Sequence, residues 1–116
     1  MKKIMLLLIT LLLYSCVQET RQQVVTFTID TKGIPPGSSV AVRGGDKPLS
    51  WEQDYPLVYD SVSGTYKATV QIATGYLFTE YKYVVNGTFE LANEENRRAI
   101  FSADGNTVLN DKYNVR

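Results

Sequence analysis

Few residues of this chain are suited to chemistry, and they fall in three places. Trp51, the only tryptophan, sits in a polar stretch with Asp46, Lys47, Glu52, Gln53 and Asp54, between Pro48 and Pro56. Lys82 lies in the run Thr79-Glu80-Tyr81-Lys82-Tyr83-Val84-Val85, and Phe89-Glu90 follow soon after. Asn93 to Asn96 form a polar break that contains the adjacent acids Glu94 and Glu95. These are the residue types of a sugar-binding surface. An aromatic ring covers the apolar C–H face of a sugar at low entropy cost, and Lys, Asn and Glu at its rim hydrogen-bond the hydroxyls. Trp51 has a second reading, as a plug over one end of the core, because tryptophan is highly buried on average.

Catalysis is a poorer fit to the same residues. A glycosidase needs two carboxylates facing each other across the scissile bond at a set distance. Glu52 with Asp54, and Glu94 with Glu95, are instead near neighbours in loops, where acids are ordinarily solvated. With no histidine and a single cysteine, neither a transition-metal site nor a histidine-based triad can be assembled. Asp104-Gly105-Asn106 has the start of a calcium loop without its remaining ligand positions, and reads as a turn. No phosphate-binding glycine loop or nucleophile elbow is present. The expectation is a protein that is not an enzyme and carries no cofactor. Twelve basic residues balance twelve acidic ones without a basic patch, so nucleic acid is not an expected partner.

The first residues read as targeting rather than fold. Lys2-Lys3 precede an apolar run from Ile4 to Leu13, too short to span a bilayer and suited to the apolar region of a signal peptide. Leu13-Tyr14-Ser15-Cys16 resembles the lipobox of bacterial lipoproteins, which implies lipidation of Cys16 as the first mature residue. The expected organisation is a signal peptide over 1–15, a lipidated cysteine and polar tether over 16–22, and one domain over 23–116. Processing before Cys16 leaves 101 residues with a formal charge of −2, enough for a single core. Two or more acyl chains would keep that domain on a membrane, since one chain anchors only marginally.

The elements that must position Trp51, Lys82 and Phe89 are strands. Val25, Phe27 and Ile29 alternate with Val24, Thr26 and Thr28 in a first strand over 23–30. Ser39–Arg43 forms a second, Leu57–Asp60 a third, and Thr65–Ile72 a fourth with clear period-two alternation. The Lys82 run and its continuation flank Asn86-Gly87, the dipeptide of a type I′ hairpin turn. On that run Thr79, Tyr81, Tyr83 and Val85 share one face, while Glu80, Lys82 and Val84 share the other. Short strands follow over 98–101 and 107–110. About seven or eight short strands, regular turn signals and no helical periodicity predict an all-β, antiparallel, immunoglobulin-like β-sandwich. Tyr66, Tyr81, Tyr83, Phe27, Phe101, Ile29, Val42 and Val70 are its candidate core.

In this order the motifs resemble those of the starch-binding domains, the family-20 carbohydrate-binding modules. The likeness runs from Val24 to Asp111 and is most specific at Glu80-Tyr81-Lys82-Tyr83, close to the family's Phe-Glu-Tyr-Lys-(Phe/Tyr). Leu49-Ser50-Trp51-Glu52 is similar to Leu-Gly-(Asn/Asp)-Trp-(Asp/Glu), one residue shorter. Asn96-Arg97 resembles the family's Asn-Arg, and Val108 to Tyr113 its closing segment. The resemblance implies non-catalytic binding of starch or a related α-glucan, with Trp51, Lys82 and Asn96 as site residues. Phe89-Glu90 stand where the family has its second tryptophan, and Ala41 where its second site has a tyrosine, so one weakened site is implied. The expected carbohydrate-binding set is Trp51, Lys82, Phe89, Glu90 and Asn96. Lipidation at Cys16 would hold the domain at the bacterial cell envelope, beside other glycan-utilisation proteins. The competing expectation is a protein-interaction module of an envelope complex that uses Trp51 as its anchor.

Overall fold

A computed structural model describes residues 19–116. The predicted signal peptide, Cys16 and the first residues of the tether lie outside the described residues. Nine strands form: β1 (Arg21–Asp30), β2 (Val40–Gly44), β3 (Tyr55–Pro56), β4 (Val58–Asp60), β5 (Thr65–Thr74), β6 (Phe78–Val85), β7 (Thr88–Phe89), β8 (Arg97–Ile100) and β9 (Asn106–Lys112). No helix occurs among the described residues.

The strands make two sheets, one ordered β4-β5-β1-β9 and the other β3-β2-β6-β7 with β8 also on β6. All pairs are antiparallel except β1 with β9, which run parallel from Val24↔Asn106 to Asp30↔Lys112. The expected sandwich is present, with one strand more than predicted. The extra strand is β3, which lies just before the expected strand at Leu57–Asp60: β3 belongs to one sheet and β4 to the other. Leu57 lies buried at the crossing, its N–H donating to the Val40 carbonyl at 2.9 Å.

Period-two alternation decides what the sandwich buries. Val25, Phe27 and Ile29 of β1 meet Val40 and Val42 of β2 and Tyr81, Tyr83 and Val85 of β6 in one core. Phe27, Tyr81 and Tyr83 pack edge to face, with ring centroids 5.0, 6.5 and 5.6 Å apart, the arrangement aromatic quadrupoles favour. Val42 and Val70 are buried as expected, while Tyr66 and Phe101 lie half-buried at its edge. Asn86 and Gly87 both take positive φ, 51° and 80°, as a type I′ turn requires.

The tyrosines bring a polar network into the core. Tyr81 and Tyr83 each donate a phenolic hydrogen bond of 2.7 Å to Asp111 Oδ2 on β9. Burial first, and then the negative charge of Asp111, push both phenols above their ordinary titration range. The two sheets are thus tied by hydrogen bonds as well as by apolar contact.

Candidate functional site

The outward face of the five-stranded sheet carries the site. On β2 the outward positions are Ala41 and Arg43, and on β6 they are Glu80, Lys82 and Val84, in register as Ala41↔Val84 and Arg43↔Lys82. β7 adds Phe89 directly opposite Val84. Ala41 and Val84 are buried although they point away from the core, so this face is covered rather than solvated.

The β2–β3 loop reaches this face at Arg43 and Phe89. Leu49 is the residue of this loop that enters the core, and Trp51, two positions on, stays partly exposed outside it. Trp51 is therefore not the plug. Its ring lies 6.4 Å from that of Phe89, with the two planes tilted by 49°. Gly44 lets the loop leave β2 so closely: a Cβ there would stand 2.8 Å from the Glu80 carbonyl oxygen and from Leu49 Cδ1. The Gly44 and Gly45 N–H groups donate to the Ser50 and Glu80 carbonyls.

Arg43 braces the two aromatic residues, a role invisible in the sequence reading. Its Nε donates to Asp54 Oδ1 at 2.8 Å and its Nη1 to the Trp51 carbonyl at 3.1 Å. Its guanidinium also lies 5.1 Å from the centroid of the Phe89 ring, within cation–π range. The signal that could have found it is periodicity. Arg43 lies between the inward-facing Val42 and Gly44 side of β2 and the turn, opposite Lys82, so a long cation there must lie across the outer face.

Lys82 is placed beside this pair but is largely engaged. Its ammonium donates to the carbonyls of Leu91, at 3.0 Å, and Glu94, at 2.8 Å, which leaves one of its three N–H donors unengaged among the described residues. The two bonds hold the β7–β8 loop, in which Leu91 takes φ 50°, a strained value for a bulky side chain. The Leu91 N–H donates to Asn114 Oδ1 at 2.7 Å, so the strained residue is fixed from both ends.

Glu90 was expected at the rim, and its position corrects that expectation. Phe89 points outward, so the next residue along the chain turns in, and Glu90 is fully buried. Oε2 accepts hydrogen bonds from Arg97 Nε at 2.7 Å and the Tyr83 N–H at 3.0 Å. Oε1 accepts from Arg97 Nη2 at 2.8 Å and the Asn114 N–H at 3.0 Å. No lone pair is left facing solvent. Burial works against the charge on Arg97, but the hydrogen bonds and the charge of Glu90 outweigh it and hold the guanidinium above its ordinary range. Arg97 also donates to the carbonyls of Lys112 and Val115. Glu90 and Arg97 are the frame that carries Phe89.

Asn96 lies apart from the aromatic pair. It lines a polar hollow of about 680 Å³ with Glu80, Glu94, Glu95, Arg98 and Arg116. That hollow adjoins the loop held by Lys82, since the Glu94 carbonyl is one of the acceptors of Lys82. A second hollow, of about 490 Å³, borders Trp51 and runs along Gly45, Lys47, Pro48 and Glu52. Among the described residues no group of three or more acids or cysteines is placed to hold a metal ion. Chemically the site is a bent aromatic surface flanked by cations and backbone carbonyls.

No protein-family model matches the chain, and no curated protein matches it. A solved structure that resembles it is the gamma-CGTase of alkalophilic Bacillus clarkii, at a TM-score of 0.56 and 17% identity. That likeness covers 81% of this chain but only 15% of the enzyme. At such identity it shows the sandwich fold, shared with a small part of a much larger protein.

Proposed function

We propose that this chain is a non-catalytic carbohydrate-binding domain whose ligand is starch or a related α-glucan. The observation that carries the reading is the Trp51–Phe89 pair, two partly exposed rings tilted by 49°. An α-linked glucan winds, so consecutive residues present C–H faces at an angle. A bent platform matches that curve, whereas a flat β-linked chain would be better met by coplanar rings. Arg43 and the free N–H of Lys82 supply donors to sugar hydroxyls beside the rings. Support of a second kind comes from the structural neighbour, whose name is that of a cyclodextrin glucanotransferase. The likeness to family-20 modules, carried by Trp51, Lys82 and Asn96, is consistent with the same ligand class. Lipidation at Cys16 would present the domain at the bacterial cell envelope, and several membrane-fixed copies facing a repeating polymer would gain avidity.

The test uses the domain lacking residues 1–16. It should sediment with insoluble starch, and its tryptophan emission should shift on titration with maltooligosaccharides while no hydrolysis product forms. Retention of Trp51→Ala on starch at wild-type strength would remove the platform from the reading. Emission that ignores every oligosaccharide, but responds to envelope proteins, would replace it with the interaction-module reading.

A further inference from the structure

The sandwich has a second exposed feature, at the start of β6, where Tyr76 and Phe78 share a hollow with Gly45 and Asp46 of the β2–β3 loop. The turn between β5 and β6 places Tyr76, Leu77 and Phe78 in succession at one end of the domain, with Tyr76 66% and Leu77 80% exposed. Ile100 of β8, 71% exposed, stands opposite Phe78 in register and widens the patch. The turn is braced: the Tyr76 N–H donates to Thr74 Oγ1 at 3.0 Å, and the Leu77 carbonyl accepts from the Phe101 N–H at 2.9 Å. Arg98 lies over the Phe78 ring at 4.1 Å. A held tip of aliphatic and aromatic groups with a basic residue at its margin is the composition of a surface that rests at a membrane interface.

The chain itself indicates what covers this tip. β1 starts at Arg21, which pairs with Thr74, two residues before Tyr76. The N-terminal segment therefore leaves the domain beside the apolar turn. Cys16 is five residues before Arg21, a span of at most roughly 17 Å when extended. We propose that the Tyr76–Phe78 turn, with Ile100, docks on the phospholipid surface to which Cys16 anchors the chain. This rests on the lipid-anchor reading. Lipid rather than glycan is favoured because Leu77 and Ile100 offer no flat face for a sugar. Docking at the tip also fixes the orientation of the domain. Lys82 lies four residues along β6 from Phe78, about 13 Å at strand spacing, so Lys82 stands off the bilayer, while the Trp51 loop, which borders the hollow of Tyr76 and Phe78 at Gly45, lies nearer the tip.

The test exploits Cys16 as the sole cysteine of the chain. Residues 16–116, which retain every strand of both sheets, are coupled through Cys16 to a maleimide-headgroup lipid in phosphatidylglycerol/phosphatidylethanolamine vesicles. In a Trp51→Phe background, Leu77→Trp places a reporter at the tip. Val62→Trp places one at the β4–β5 turn, where Val62 is 96% exposed at the opposite end of the sandwich. Brominated phospholipids should quench and blue-shift the emission at position 77 and leave position 62 unchanged. Equal quenching at both positions, or none at 77, overturns the docking and leaves the patch to a protein partner. Anchoring is scored separately: wild-type full-length chain should fractionate with membranes and Cys16→Ser should not. Loss of that difference removes the natural anchor without altering what the coupled vesicles report.

Discussion

Replacing Glu90 by alanine separates a structural role from a ligand role. The carboxylate accepts four hydrogen bonds, two of them from the Arg97 guanidinium and two from backbone N–H groups. The side chains of Arg97 and Glu90 are only 9% and 0% exposed, so water does not replace the lost acceptor. Removing one partner of such a buried pair destabilises by about 3–5 kcal/mol, and Asp111 Oδ1, 3.6 Å from Arg97 Nη1, remains as a weaker partner that holds the loss near the lower end. A domain of this size holds roughly 5–15 kcal/mol in total, so Glu90→Ala should unfold at much lower urea, or fail to fold at 37 °C. In melting temperature each kcal/mol corresponds to about 4–8 °C, which puts the drop above about 12 °C. The assay is urea unfolding followed by tryptophan emission, with starch sedimentation measured where the variant is still folded. Glu90→Gln, which keeps the volume and some acceptors, should fall between wild type and alanine. If Glu90→Ala were as stable as wild type within about 0.5 kcal/mol and yet lost glucan binding, the carboxylate would be a ligand residue and the buried frame would be refuted.

Phe89→Trp enlarges the platform on an unchanged frame and should tighten maltooligosaccharide binding by about 1 kcal/mol, roughly fivefold; unchanged affinity by calorimetry would mean that ring 89 does not touch the sugar. Gly44→Ala forces a Cβ to within 2.8 Å of the Glu80 carbonyl oxygen and Leu49 Cδ1. It should destabilise by about 1–3 kcal/mol, and wild-type urea stability would contradict the close approach. Tyr81 and Tyr83 are held above their ordinary value of 10.0 by burial and by Asp111. Below that pH both the folded and unfolded phenols are protonated and the contribution is intact. As pH rises past 10 the unfolded chain releases protons that the folded one keeps, so stability falls by up to about 1.4 kcal/mol per pH unit for each tyrosine. Tyr83→Phe should flatten this fall between pH 9 and 11, and an unaltered slope would place the titrating groups elsewhere.

The sandwich was legible because alternation, turn chemistry and burial agree. Val25, Phe27 and Ile29 had to share a face, and Asn86-Gly87 had to turn. What escaped was sheet membership. The expected strand at Leu57–Asp60 is β4, but the two-residue β3 before it, Tyr55–Pro56, pairs with the other sheet, and nothing local marks so short a strand or its sheet. The parallel pairing of β1 with β9 joins segments some 80 residues apart and leaves no trace in either segment. The site was partly legible. Trp51 and Phe89 were expected together, and the structure brings them together; Arg43, which braces both, carries no motif and is found only by asking what lies outward on β2.

Glu90 illustrates the sharper lesson, because the family resemblance placed it at the rim while alternation alone places it in the core. Phe89 and Glu90 are consecutive, and consecutive strand residues point to opposite faces. If Phe89 faces a ligand, Glu90 faces the core, and both cannot belong to one rim. A carboxylate turned into a core must find a cation there. Arg97 is the cation that reaches it, at the start of β8, which pairs with the same β6 strand. The Asn96-Arg97 dipeptide thus divides in the way Phe89-Glu90 does: one residue of each pair looks outward, toward the polar hollow or the aromatic platform, and the other closes the ion pair beneath. The proposed ligand surface is the outer half of these two dipeptides, and the Glu90–Arg97 pair is the inner half that holds it in place.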